Sequence, residues 1–185
     1  MKSVLISIQP KWCELIASGK KMVEARKTKP KLETPFKVYI YETQGRTETP
    51  FVDEDGHEIF KGRGQVIGEF VCNAIEEVYQ CNSGWVQSYA CLSRDEFFDY
   101  LGIPRRTHLE YDKKAYGWLI SDLVIYDKPK ELGEYGEFYV WKKCNSCRDT
   151  GYESTACCYD IDCRVPAVIS RPPQSWCYVE RLKGE

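Results

Sequence analysis

Two cations and a carboxylate lie close together near the start of the chain, at Lys21, Glu24 and Arg26. Glu24 and Arg26 are two positions apart, so they share one face of an extended strand. Lys21 falls outside that alternation and must reach the same place from a turn. Such a cluster can bind an anionic or polar ligand, because a guanidinium donates to two acceptors at once. The alternative is a surface ion pair, which contributes at most about 1 kcal/mol.

Three short elements are expected to position this cluster. Residues 3–8 are rich in apolar and β-branched side chains and predict a strand. A helix should begin at Pro10, which suits a first helical turn, and end at Gly19, which suits a C-terminal cap. Residues 23–27 can then continue as a second strand, so the cluster should lie where the helix passes into that strand.

The rest of the chain predicts more strands than helices. Strands are expected over four further segments: 36–41, 65–78, 118–126 and 175–181. Ser93 followed by Glu96 forms a candidate capping box for a second helix, ended by Gly102. Several strands with two short helices and no regular strand–helix alternation predict an α+β fold built on a β-barrel or strongly curved sheet.

Length and composition restrict the class of protein. The chain has 185 residues, which suits one domain, and its 43% apolar and 14% aromatic content is typical of a folded protein. No run approaches the roughly 20 apolar residues of a membrane span, and no secretory signal is recognisable. A cytoplasmic protein without membrane partners is therefore expected.

The net charge of −2 conceals a segregation of charge along the chain. Residues 1–31 carry eight Lys and Arg against two acids, whereas residues 42–58 carry six acids against one Arg. A pI near 5.8 argues against a nonspecific duplex binder, whose affinity comes from many phosphate contacts. It is compatible with one basic cleft that takes a nucleotide or a short single strand.

Four stretches in order resemble the ASCH domain, a family related to PUA-like barrels. They are 8–26, with Ile8-Gln9-Pro10-Lys11-Trp12 and the Gly-Lys-Lys-x-x-Glu-x-Arg pattern, then 66–70, 116–123 and 171–180. The resemblance covers nearly the whole chain and implies one domain over 1–185, a small barrel with a helix-lined cleft. It leaves an acidic hairpin insertion at about 44–62 and a Cys-rich insertion at about 142–168.

The resemblance also implies which residues face the cleft. Gly19, Lys21, Glu24 and Arg26 would line it, and Ser121, Gln174 and Trp176 would face it too. Asp122, beside Ser121, could equally accept backbone hydrogen bonds at a turn.

Aromatic side chains near the cluster are open to two interpretations. The flat faces of Trp12, Tyr39 and Tyr41 could stack on a nucleobase, a contact worth roughly 1–3 kcal/mol per base. Such aromatic residues are more often part of a core.

The expected function is binding of RNA or a nucleotide-like ligand. The first alternative is an enzyme, either a ribonuclease or an amidohydrolase acting on N4-acylated cytidine, with Lys21 and Glu24 catalytic. Small ASCH amidohydrolases use a lysine, a threonine and a glutamate, but here Met22 and Glu24 stand where threonines would fall. Lys21 could still activate a water while Arg26 holds an oxyanion.

The third catalytic position of that branch has several candidates in this chain: Glu69, Glu76 and Glu77. A second alternative is a protein-interaction module, which suits the acidic hairpin and the Cys-rich segment. The sequence does not decide between binding and catalysis.

Five cysteines cluster near the C-terminal end of the chain, and their spacing is compatible with zinc. Cys144 and Cys147 are separated by two residues, so both thiolates can meet one metal. Cys158 and Cys163 would complete a tetrahedral structural site, with Cys157 an equal rival to Cys158. Free thiols and disulfides are the alternatives, and no organic cofactor is expected.

Overall fold

The computed structural model of the protein describes residues 2–52, 55–79, 82–104, 113–137 and 167–181. Within these ranges the chain forms ten strands and three α-helices. The strands are β1 (Ser3–Ile8), β2 (Val23–Arg26), β3 (Phe36–Glu42), β4 (Arg46–Val52), β5 (Glu58–Lys61), β6 (Val66–Tyr79), β7 (Lys114–Lys130), β8 (Tyr135–Glu137), β9 (Ala167–Val168) and β10 (Trp176–Arg181). The helices are α1 (Pro10–Ala17), α2 (Gly84–Tyr89) and α3 (Arg94–Leu101).

Eight of the strands form one mixed sheet in the order β2-β7-β6-β3-β1-β10-β8-β9. β1 pairs parallel with β3, and the other neighbours pair antiparallel. The edge strands β2 and β9 do not pair with each other, so the described strands form a sheet that is not closed, which fits the curved-sheet alternative of the prediction and not a fully closed barrel. Three register shifts interrupt the long β6–β7 pair, and such irregularities bend a sheet and increase its twist.

The two predicted insertions have different outcomes. β4 and β5 pair with each other as a separate two-stranded antiparallel sheet, so the segment at 44–62 is a hairpin as predicted. The Cys-rich insertion, predicted at about 142–168, lies outside the described residues except for its last two, which form β9 (Ala167–Val168).

The helices illustrate which local signals the sequence carries. α1 begins at Pro10, and Gly19 follows its last turn with a φ of +72°, where glycine meets no steric penalty. α3 has the predicted capping box: the Ser93 Oγ accepts from the Glu96 N–H at 3.2 Å, and Glu96 Oε2 accepts from the Ser93 N–H at 2.8 Å. α2 was not predicted, because its six residues are too few to show an apolar period and its N-cap residue, Ser83, is not followed by the Glu or Gln of a capping box. No helix in the described ranges has the length and apolar content to cross a bilayer.

The buried apolar side chains of the described residues form three clusters, and β1 and β3 are buried on both faces. One face of β3 packs with Trp118 and α1 in the first cluster. The opposite face, with Tyr39 and Tyr41, packs against Tyr135 in the third cluster. The second cluster joins α2 and α3 to β2 and β7. A second apolar layer therefore covers the β3 face that the sequence left open to a ligand.

Candidate ligand-binding cleft

A cavity of about 710 Å³ opens beside the predicted cluster. Its walls come from the end of β1 with α1, from Lys21 and β2, from α3, and from residues 172–174 ahead of β10. This volume lies within the range of about 300–1,000 Å³ typical of small-molecule sites. We call this cavity, with Lys21, Glu24 and Arg26 on its wall, the cleft.

Lys21, Glu24 and Arg26 converge in the cleft as one ionic cluster. Glu24 lies between the two cations, with its Oε2 3.3 Å from Lys21 Nζ and its Oε1 3.0 Å from Arg26 Nε. β2 places Glu24 and Arg26 on one face, and the turn after α1 brings Lys21 to the same point. That turn is fixed by a hydrogen bond from the Lys21 N–H to the Leu15 carbonyl at 2.8 Å.

The cluster is anchored to the backbone and buried. Lys21 Nζ donates to the Ala90 carbonyl at 2.7 Å, and Arg26 Nη2 donates to the Ser7 carbonyl at 2.6 Å. The relative exposure of Lys21, Glu24 and Arg26 is 3%, 6% and 9%. A surface ion pair, the alternative interpretation of these residues, does not describe this arrangement, because burial and anchoring fix each side chain in one geometry.

One acceptor and one donor in the cluster are not satisfied by hydrogen bonds. Within the described part of the chain, Glu24 Oε2 and Arg26 Nε have no hydrogen-bonding partner although both atoms are buried. The ion-pair contacts around them are short, but their geometry is not that of a hydrogen bond. Buried polar atoms normally find partners, so these two atoms are hydrogen-bonding capacity that the cluster does not use internally.

The charge of the cleft lining is mixed. Lys21 and Arg26 line it together with three carboxylates, those of Glu24, Glu96 and Asp99. The expectation of a basic cleft is therefore wrong for the lining itself. The carboxylates would repel a phosphate group placed deep in the cleft, because both are negatively charged. They would not repel a neutral polar group.

Aromatic side chains contribute to two walls of the cleft. Trp12 lies on the α1 side, with Lys11 Nζ 4.5 Å and Lys21 Nζ 5.1 Å from its ring centroid, and it packs against the first core cluster. Tyr100 lies on the α3 side and accepts a hydrogen bond from the Lys27 N–H at 3.0 Å. Burial raises the pKa of the Tyr100 hydroxyl, so it remains protonated at neutral pH.

Some of the other predicted site residues lie at the cleft and some do not. Gln174 lines it. Trp176 is not among the lining residues: its Nε1 donates to Thr28 Oγ1 at 3.0 Å, and its ring packs near Trp118. Ser121 Oγ donates to the Val71 carbonyl at 2.9 Å, which ties β7 to β6. Gly19 also lies outside the lining.

Tyr39 and Tyr41 lie in the third core cluster, each about 5% exposed. The Tyr39 ring centroid is 4.8 Å from that of Tyr135. The structure therefore places both tyrosines in the core and not at the cleft, because β8 and β10 add an apolar layer over this face of β3.

The residues that the sequence did not predict come mainly from α3 and from loops. Ser7, Thr43, Asp99 and Tyr100 line the cleft, and Ser175 Oγ lies 3.4 Å from Arg26 Nη1. The capping box could locate α3, but nothing in the sequence signals that this helix packs beside a strand some 70 residues earlier.

The candidates for a third catalytic carboxylate lie elsewhere. Glu69 pairs with Lys37 at 2.6 Å, and Glu77 pairs with Lys29 and Lys114 at 3.5 and 3.1 Å. Neither these two residues nor Glu76 is among the cleft-lining residues.

The predicted zinc ligands Cys144, Cys147, Cys157, Cys158 and Cys163 lie outside the described residues. The described ranges contain no group of three or more potential metal ligands. Four cysteines in those ranges form no disulfide bond. Burial raises the pKa of the Cys72 thiol to about 12 and that of Cys13 well above its usual value, so neither is a nucleophile at neutral pH.

The fold is similar to that of solved ASCH proteins. An ASCH protein from Zymomonas mobilis has a TM-score of 0.55 and 20% identity, over 96% of this chain and 87% of that chain. A serine-to-alanine mutant of the same protein gives 0.55 and 20%, over 96% and 88%. No protein-family model and no curated protein sequence matches the chain. The structural likeness establishes the ASCH fold.

Proposed function

We propose that this chain, which has the ASCH fold, binds single-stranded RNA by taking one nucleotide into the cleft. The observation that carries the proposal is the buried ionic cluster on the wall of the 710 Å³ cavity. The rigid anchoring of Lys21 and Arg26 supports this role, because a preorganised site loses little side-chain entropy on binding.

The chemistry of the cluster suits the edge of a nucleobase. A carboxylate oxygen accepts from an exocyclic amino group or a ring N–H, and the Lys21 and Arg26 groups beside it donate to a ring nitrogen or a carbonyl oxygen. Trp12 and Tyr100 supply rings on the neighbouring walls, and base–aromatic stacking is worth roughly 1–3 kcal/mol. The mixed charge of the lining favours placing the base inside and the phosphates outside.

Binding is better supported than hydrolysis. Lys21 is held by a carbonyl and a carboxylate, an arrangement that fits recognition. The cleft is lined by the hydroxyl-bearing Thr43, which follows β3. In the family's amidohydrolases the threonine is expected in the stretch that here contains Met22 and Glu24. Neither deacylation of N4-acylated cytidine nor RNA cleavage is needed to account for the cleft. Both alternatives are tested by incubating the protein with each substrate and analysing the products by chromatography.

The binding test compares two variants that reach the cleft from different elements. Lys21→Ala removes a donor from the cluster, and Gln174→Ala removes an exposed lining side chain whose loss does not disturb the core. We expect each to weaken binding of a labelled mixed-sequence oligoribonucleotide, Lys21→Ala by tenfold or more and Gln174→Ala by about threefold, equivalent to one or a fraction of one hydrogen bond. Fluorescence anisotropy measures both.

Gln65→Ala is the matched control, because Gln65 is a polar residue outside the cleft lining. Wild-type affinity in both Lys21→Ala and Gln174→Ala would contradict the proposal. Product formed from acylated cytidine or RNA by the wild type, and lost in Lys21→Ala, would favour the enzyme.

A further inference from the structure

Three exposed lysines follow Arg26 directly along the chain, at Lys27, Lys29 and Lys31. Hydrogen bonds hold the backbone of this segment against aromatic side chains. The Lys31 N–H donates to the Tyr178 hydroxyl at 2.7 Å, in addition to the bond between the Lys27 N–H and Tyr100. The segment is therefore fixed, with its lysine side chains directed away from the core.

The first residues of β7 extend this basic surface. β2 and β7 are neighbours, with Arg26 opposite Tyr116, so the exposed Lys113 and Lys114 lie near the 27–31 segment. Lys29 and Lys114 lie over the same ring, that of Tyr116, at 5.1 and 5.5 Å from its centroid. We call the five residues Lys27, Lys29, Lys31, Lys113 and Lys114 the lysine strip.

The lysine strip starts at the mouth of the cleft. Lys27 Nζ lies 4.9 Å from the ring centroid of Tyr100, and Tyr100 itself lines the cleft. Cation–π contacts of this kind are worth about 0.5–1 kcal/mol at exposed sites and favour particular positions for the ammonium groups. The strip is thus a partly ordered row of cations that leads away from the cleft.

One carboxylate reduces the charge of the strip without cancelling it. Glu77 pairs with Lys29 at 3.5 Å and with Lys114 at 3.1 Å, and it accepts from the Tyr79 hydroxyl at 2.8 Å. Hydrogen bonds from Tyr79 and Lys114 lower the pKa of Glu77, so it is ionised at neutral pH. Among the residues that the structure describes, five lysines against this ion-paired carboxylate leave the strip positive.

We propose that the lysine strip binds the phosphate backbone of the RNA strand whose nucleotide occupies the cleft. This inference rests on the proposed function and adds the path of the strand. The charge of the strip complements phosphates, while the mixed charge of the cleft does not. The strand is single because a base inside a duplex is stacked and paired, whereas an unpaired base can leave the stack and enter a pocket.

The test measures how affinity grows with the length of the ligand. The ligands are ribonucleoside monophosphates and oligoribonucleotides of four and ten nucleotides, and the protein is the wild type or the triple variant Lys27→Gln, Lys29→Gln, Lys114→Gln. We expect the variant to bind monophosphates as the wild type does, because none of the three lysines lines the cleft. Its affinity for the ten-nucleotide RNA should fall about tenfold or more at low salt, since phosphate contacts supply most of that affinity.

Salt dependence gives a second readout. Each phosphate contact to a single strand contributes about 0.7 to the slope of log K against log salt concentration. Removing three contacts should therefore reduce that slope by about 2. An unchanged slope and an unchanged gain with length would overturn the proposed role of the strip.

Lys130→Gln is the matched control. Lys130 lies at the opposite end of β7, and its Nζ is 4.1 Å from the ring centroid of Tyr126, so the substitution removes a similar lysine–tyrosine contact and the same charge. A loss equal to a third of the triple variant's effect would mean that net charge alone acts, and would overturn the proposal. Failure of monophosphates to bind the wild type, with oligonucleotide binding still dependent on the strip, would contradict the proposed function and leave the strip intact.

Discussion

Glu24 has the most consequential position of any single residue described above. It separates two buried cations, and it still has an oxygen without a hydrogen bond on the wall of the cleft. A buried carboxylate between two cations is costly to desolvate, and its removal leaves both cations uncompensated. The same residue is therefore expected to serve the fold and the ligand.

Substitution of Glu24 tests its role in the fold. We expect Glu24→Ala to lower the free energy of unfolding by about 3–5 kcal/mol, because it leaves Lys21 and Arg26 buried without a counter-charge. The measurement is urea unfolding followed by circular dichroism. Glu180→Ala, at an exposed carboxylate, should change stability by less than about 0.5 kcal/mol. A loss for Glu24→Ala as small as that of Glu180→Ala would mean that water compensates the cluster.

The elements around the cleft combine predictable and unpredictable features. Caps and alternation, read from neighbouring residues, located α1, β2 and α3. The sequence did not indicate α2, although its Ala90 C-cap carbonyl accepts the bond from Lys21 and its Tyr89 carbonyl accepts from the Met22 N–H at 2.8 Å. The turn after α1 therefore depends on long-range packing against α2 as well as on the local sequence.

Glu69 links three strands through its carboxylate, and we expect its ionisation to make the stability of the fold depend on pH. Glu69 on β6 accepts from Lys37 on β3 and from the Tyr126 hydroxyl on β7, both at 2.6 Å. Partial burial alone would raise the pKa of Glu69, but the hydrogen bonds from Lys37 and Tyr126 outweigh it and lower the pKa overall. A carboxyl group with a lowered folded-state pKa stabilises the fold above its unfolded pKa and loses that contribution as pH falls through the folded value.

We therefore expect Glu69→Gln to be less stable than the wild type at neutral pH. The difference should shrink as the pH falls from about 6 to about 3, because Glu69 becomes protonated in the folded wild type. Urea unfolding at a series of pH values measures it. A difference that stays constant over this range would mean that the charge of Glu69 does not contribute.

At the scale of the whole molecule, the described strands form a sheet that is not closed and is buried on both faces at its centre, the curved-sheet alternative of the predicted fold. Trp118 and α1 cover one face, and Tyr135 with β10 covers the other. The long β6–β7 pair has register shifts that bend the sheet, and Arg26 on the edge strand β2 reaches the Ser7 carbonyl on β1, which is fifth in the strand order. The cleft thus lies between the edge strand β2 and the end of the central strand β1.

The Cys-rich segment, outside the described residues, carries the last prediction. We expect the purified protein to contain about one zinc per chain, because structural sites of this spacing bind one tetrahedral ion. Cys144→Ser should reduce the zinc content measured by inductively coupled plasma mass spectrometry, and chelation should lower the melting temperature, since metal binding energy becomes folding energy. Cys91→Ser, at a cysteine remote in sequence, is the control. Metal-free protein with titratable thiols in that segment would contradict the prediction.

Sequence alone determined the features that depend on residues near one another in the chain. The start of α1 at Pro10, the cap at Ser93 and the shared face of Glu24 and Arg26 follow from local geometry, which needs only a few consecutive residues. The resemblance carried by four motifs also anticipated the ASCH fold, although not the open form of the described sheet.

Tertiary structure alone decided which of these features form a site. Lys21 meets a carbonyl 69 positions away, Arg26 meets a hydroxyl 149 positions away, and the strip joins two segments about 85 residues apart. The same long-range packing buried Tyr39 and Tyr41 and exposed the strip lysines. Burial depends on which elements pack together, and no local pattern of the chain specifies that choice.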